Sequence, residues 1–162
     1  MGKTGQHEPN WDRLYEVASA QEGLFTTRQA EEAGYSSQLL DYHIRAKRVV
    51  RVRRGIYRLV HFPAGEYEEF VVAWLWTDSM GIISHQSALS LHGLSDIPPA
   101  QIHLTLPNAW RRRRFRVPEG IVLHYADVPE DERSWFGSVP ITKPNRTLND
   151  CALAGLRPSV LD

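Results

Sequence analysis

A single cysteine, Cys151, stands in a chain of 162 residues. One thiol cannot build a disulfide framework, so a stapled secreted scaffold is excluded and a reducing cytoplasm is the expected compartment. No run of 18 apolar residues occurs, which excludes a membrane-spanning helix. The opening MGKTGQHEPN holds no apolar segment of the kind a secretory signal needs. Net charge is missing too, since 19 Lys and Arg are matched by 19 Asp and Glu. The total alone therefore points to no polyanionic partner.

What is present argues for an ordinary folded protein. Hydrophobic residues make up 42%, and five Trp, six Tyr and five Phe are enough to build a core. The length suits one compact domain or two small ones. The charge is strongly segregated. Between Arg28 and Arg58 eight bases (Arg28, Arg45, Lys47, Arg48, Arg51, Arg53, Arg54, Arg58) face three acids (Glu31, Glu32, Asp41), a local balance of +5. A second cluster, Arg111 to Arg114 with Arg116, adds five cations within six residues. The compensating acids lie at Glu66, Glu68 and Glu69 and again at Asp127 and Glu130 to Glu132. Segregated charge makes local potential even when the sum vanishes.

The first cluster falls in a recognisable pattern. WDRLYEVASA (11–20) places Trp11, Leu14, Tyr15 and Ala18 at helical spacing. Gly23 ends that helix, and Leu24–Phe25 reads as a short apolar connector. Thr26 or Thr27 offers an N-cap for a second helix near Arg28–Ala33, closed by Gly34. Ser36 or Ser37 caps a third, SQLLDYHIRAK. Directly behind it, RVVRVRRGIYRL (48–59) alternates cations with apolar residues around Gly55, the pattern of a hairpin. Helices followed by a ribbon make a winged helix-turn-helix. The expected fold class is α+β, with this winged module over 10–61.

Pro63, Ala64 and Gly65 read as a linker to a mixed α/β module over 66–162. That module shows a helix near Glu66–Thr77, the pair Ile82–Ile83, and a helix in SHQSALSLHGL capped by Ser84. Strands follow at Gln101–Leu106 and Gly120–Tyr125, with the arginine run between them, then a short strand at Val139–Ile141. A last helix starts at Thr147–Ala154 and runs toward the chain end; Asp162 comes so soon after that start that the module looks unfinished, and a longer natural chain is expected.

In a winged helix-turn-helix the third helix enters the major groove, and its outer residues read base edges. With Leu40 and Ile44 inward, Ser37, Gln38, Asp41, Tyr42 and Arg45 are left outside. Gln38 and Arg45 suit adenine and guanine, each through two hydrogen bonds. Thr26, Thr27 and Arg28 are placed to hold phosphate. In the wing, Arg51 and Arg53 are expected on one face, and Arg54 at the turn. The alternative is a solvated, aggregation-resistant edge. The run WRRRRF (110–115) admits a second nucleic-acid contact, a dock for an acidic partner, or an exposed loop.

No catalytic set is evident. His85 and His92, seven apart, would lie about 10 Å apart along a helix axis, too far to share one ion. No Cys or acid stands at ligand spacing near His103 or His124, so these read as packing histidines and no metal or cofactor is expected. Gly2-Lys3-Thr4 lacks the glycines and strand of a phosphate loop. No nucleophile elbow occurs. Cys151 reads as packed.

Three segments in order carry a family resemblance: LFTTRQAEEAGYSSQLLDYHIRAKRVVRVRRGIYRL, ISHQSALSLHGL and VPITKPNRTLNDCA. Together they resemble AbiEi-type antitoxins, the transcriptional regulators of abortive-infection toxin–antitoxin operons. The resemblance implies a non-enzymatic cytoplasmic repressor that binds double-stranded DNA at the operator of its own promoter. It also implies a nucleotidyltransferase-like toxin as partner. Carried over by position, the DNA contacts fall on Thr27, Arg28, Ser37, Gln38, Tyr42, Arg45, Arg51, Arg53 and Arg54. Ser84, His92–Gly93 and the Arg146/Asp150 pair match family segments, and a structural role is expected for them: a helix cap, a helix end and an i, i+4 pair. The competing expectations are a nuclease-like enzyme using the winged domain as a substrate clamp, and a protein-binding adaptor. Operator sequence, oligomeric state and toxin identity are not encoded in any motif.

Overall fold

A computed structural model describes residues 8–155. Gly2-Lys3-Thr4 and the chain end at Asp162 lie outside them. The chain divides into two compact units, one ending at Trp76 and the other beginning at Thr77.

In the first unit, helix α1 (Trp11–Ser19) starts where the Asn10 side chain accepts a hydrogen bond from the Arg13 N–H, and it buries Leu14 and Ala18. Residues Leu24–Thr26 form a strand, β1, rather than the expected connector. Its partner lies far along the chain, so two buried apolar residues gave no alternation to read. Helix α2 (Thr27–Glu32) opens with a reciprocal cap: Thr26 accepts from the Gln29 N–H while Gln29 accepts from the Thr26 N–H. Helix α3 (Ser37–Arg45) is capped by Ser36 onto the Leu39 N–H and buries Leu40. The hairpin follows as β2 (Val49–Arg53) and β3 (Ile56–Leu59), and the sheet order is β1-β3-β2, all antiparallel.

The core of this unit joins every element so far named. Leu14, Ala18, Phe25, Ala30, Ala33, Tyr35, Leu40, Val49 and Leu59 are buried together, with Ile44, Tyr57 and Phe62 against them. Helix α4 (Glu68–Trp76) packs on β1 and β3, which is why the first unit extends past the Pro63–Gly65 linker. An ion pair of 3.6 Å ties Arg58 of β3 to Glu68 of α4.

The second unit is built on a mixed five-stranded sheet of order β6-β5-β4-β8-β7. Its strands are β4 (Ile82–Ile83), β5 (Ile102–Leu106), β6 (Ile121–Tyr125), β7 (Arg133–Phe136) and β8 (Val139–Thr142). Strand β7, antiparallel to β8, was not foreseen; its residues are mostly exposed and hold no apolar alternation. The β5 and β6 strands run parallel, so the segment between them is a crossover, and the arginine run sits on it. Helices α5 (His85–Leu91) and α6 (Pro144–Leu153) pack on each other. The last helix starts earlier than Thr147 because Pro144 fits its first turn, where no N–H is needed.

Candidate nucleic-acid interface

The outer face of α3 carries Ser37, Gln38, Asp41, Tyr42 and Arg45, all exposed. Leu40 fixes that orientation by burying the opposite face. Tyr42 is half exposed, and the guanidinium of Arg48 lies 6.0 Å from its ring centre. Arg48 also reaches His43 Nδ1 at 3.3 Å. Of the nine residues carried over as DNA contacts, eight are exposed and Thr27 is half-buried.

Thr27 has a second occupation. Its N–H donates to the Gly55 carbonyl at 3.0 Å and its hydroxyl donates to the same oxygen at 3.4 Å. The first turn of α2 is thereby tied to the tip of the hairpin. Arg54 and Gly55 form that tip, with Gly55 at φ +79, a backbone region that favours glycine.

The wing differs from the expected alternation at one place. Arg51 pairs with Tyr57 but Arg53 pairs with Ile56, a register shift that leaves Val52 without a partner. Successive β3 residues point to opposite faces, so Arg51 and Arg53 do not share one face as strict alternation would require. The bulge spreads the cations around the tip instead of lining one side.

The five arginines of the hairpin segment therefore separate by role. Arg58 is turned inward, donating Nε to the Phe62 carbonyl at 3.1 Å beside its Glu68 pair. Arg48 leans on His43 and Tyr42. Arg51, Arg53 and Arg54 are exposed, and among the described residues no carboxylate pairs with them.

The second unit gathers side chains that sequence reasoning kept apart. The rings of His85 and His124 stack with centroids 3.5 Å apart, and His103 Nδ1 lies 2.9 Å from His124 Nε2. Alternation on the paired strands puts His103, Thr105 and His124 on one face, the one signal that could have grouped them. Ser84, expected as a helix cap, makes no such bond. Its Oγ accepts from Thr105 Oγ1 at 2.6 Å and meets His85 Nδ1 at 2.8 Å. His85 itself has φ +54. The expected Arg146–Asp150 pair is present at 2.9 Å, and Arg146 also reaches Glu132. His92 closes α5 and meets the Thr142 carbonyl at 2.7 Å.

Burial pushes the His85 imidazole down to about 4, helped by His103 and Arg146. His124 is also pushed down to about 4, by burial first and then by His85 and His103, against the opposing pull of Asp150. The group is thus a neutral, hydrogen-bonded stack. Face-to-face rings hold their lone pairs parallel rather than converging, and among the described residues no group of three or more His, Cys, Asp or Glu is placed to hold a metal ion. Cys151 is fully buried, and burial ahead of the nearby Asp150 charge raises its thiol to about 11.

Residues 12–60 match the family described as transcriptional regulator, AbiEi antitoxin. This is the family the sequence resembles, and the matched segment is the winged fold from α1 to β3. The two downstream segments that add to the resemblance lie outside the match. No curated protein matches the chain. Among the described residues no helix is long and apolar enough to cross a membrane.

Proposed function

We propose, with the AbiEi antitoxin regulators matched over 12–60 as premise, that this chain represses its own operon as the antitoxin of an AbiE-like toxin–antitoxin pair. The observation that carries the reading is the pairing of that match with a solvent-facing polar surface. Helix α3 offers Ser37, Gln38, Tyr42 and Arg45 to a major groove, and the hairpin offers Arg51, Arg53 and Arg54 to the backbone beside it. Arg28, exposed in the first turn of α2, is suited to a phosphate. Thr27 serves by holding α2 and the wing tip in one arrangement, so that helix and wing meet DNA together. The chain acts without catalysis, and the partner of its antitoxin role is a nucleotidyltransferase-like toxin.

The test is a reporter driven by the chain's own upstream region, read beside a gel shift on the same DNA. Repression and retardation at low salt are expected. Arg51→Ala with Arg53→Ala should weaken binding to all sequences alike, whereas Gln38→Ala should relax the preference at one base pair, at a cost of about 1–3 kcal/mol. Absence of retardation of the upstream region at low salt overturns the reading.

A further inference from the structure

The second unit carries cations that the winged fold does not use. Arg111, Arg112, Arg113, Arg114 and Arg116 are all exposed on the crossover between β5 and β6. Among the described residues none of them is paired with a carboxylate. A carboxylate is close in sequence space and fold, yet it is spent elsewhere. Asp127 accepts from the Asn108 N–H at 3.0 Å and from its side-chain amide at 3.3 Å, and so anchors the root of the loop.

The loop is also held in shape. Arg111 donates to the Asn108 side chain and to the Tyr125 carbonyl, each at 3.2 Å, with its guanidinium 5.4 Å from the Tyr125 ring centre. Arg113 lies over the Trp110 ring at 4.0 Å, and Phe115 meets Trp110 edge-on at 6.2 Å. Stacking on a ring occupies the face of a guanidinium and leaves its N–H edge directed outward. Five like charges kept unneutralised and partly fixed in place repel one another, a cost that a polyanion would remove.

We propose that the 110–116 loop is a second nucleic-acid contact, one that grips the phosphate backbone without reading sequence. Charge density selects this partner over an acidic protein. Duplex DNA carries one charge per about 1.7 Å of axis, dense enough to meet several of these cations at once, those in the short 3-10 turn over Asn108–Arg112 and those in the irregular segment after it. A peptide reaches such density only as an unbroken run of acids. The choice does not depend on the winged unit binding an operator.

The experiment measures the affinity of the full chain for a random-sequence duplex across a salt series. It compares the parent, Arg112→Ala/Arg114→Ala/Arg116→Ala, the matching triple Lys variant, and Arg51→Ala/Arg53→Ala. Among the described residues the side chains of Arg112, Arg114 and Arg116 make no hydrogen bond or ion pair, so folding, checked by circular dichroism, should be unchanged. The triple Ala variant should bind about tenfold or more weakly, and its log–log salt slope should shrink by about 2–3. The triple Lys variant should recover most of the slope. An unchanged affinity and slope in the triple Ala variant overturns the proposal, as does a loop that binds polyglutamate and not DNA. Loss of all duplex binding in the wing variant, with the loop intact, overturns the proposal but leaves the operator reading standing. Binding lost only in the loop variant supports the proposal and overturns the operator reading.

Discussion

At neutral pH the imidazoles of His85 and His124 carry no proton, because burial first, and then neighbouring cationic groups, hold both down to about 4. An unfolded histidine titrates near 6.5. Between those values the unfolded chain binds protons that the folded one refuses, so stability falls as pH drops through 6.5 towards 4. Below 4 the pair contributes no further loss. Melting of the chain followed from pH 7.5 down to 4.5 should therefore show a falling midpoint, and His124→Gln should flatten that slope. A parent slope equal to the variant's would contradict the assignment. Cys151, with its thiol raised to about 11, should react with alkylating reagents at pH 8 only on unfolding. Residue identities on α3 were legible because Leu40 and Ile44 stand about one helical turn apart on the inner face, which leaves Gln38 and Arg45 on the outer one. The histidine stack was not, since positions 85, 103 and 124 share no period: the β5–β6 register brings His103 and His124 together, and the Ser84 N–H bonded to the His103 carbonyl at 3.1 Å brings His85 beside them.

Elements were read best where local chemistry decides them. The caps at Thr26 and Ser36 are side-chain bonds within three residues, and the hairpin tip needs only Gly55. Strands β1 and β7 depend on partners elsewhere, and both were missed. Thr26→Ala removes one arm of the reciprocal cap on α2 and should cost about 1 kcal/mol, measured by denaturant unfolding. Two glycines make a sharper comparison. Gly55 has φ +79, and an added Cβ would meet only Thr27 Oγ1, at an ordinary contact distance of 3.8 Å, so Gly55→Ala should cost about 1 kcal/mol, chiefly from backbone strain. At Gly23, φ +86, an added Cβ would lie 2.3 Å from Phe62 Cβ, so Gly23→Ala should cost at least about 2 kcal/mol more. Equal losses at the two sites would count against this packing of Phe62 on the α1–β1 turn.

On the scale of the whole molecule, zero net charge conceals two cationic clusters on two separate units, the wing of the first and the β5–β6 crossover of the second. Composition hid this and sequence order revealed it. The physical reason is that binding responds to the potential at a surface, and screening confines that potential to within about a Debye length. Binding of the chain to the DNA upstream of its own gene, measured by anisotropy over a salt series, tests the central claim most directly. A linear fall of log K with log salt is predicted, together with tighter binding than to a random duplex at every salt and a shallower slope for Arg51→Ala/Arg53→Ala. Affinity for the upstream DNA equal to that for the random duplex, or insensitive to salt, would contradict it.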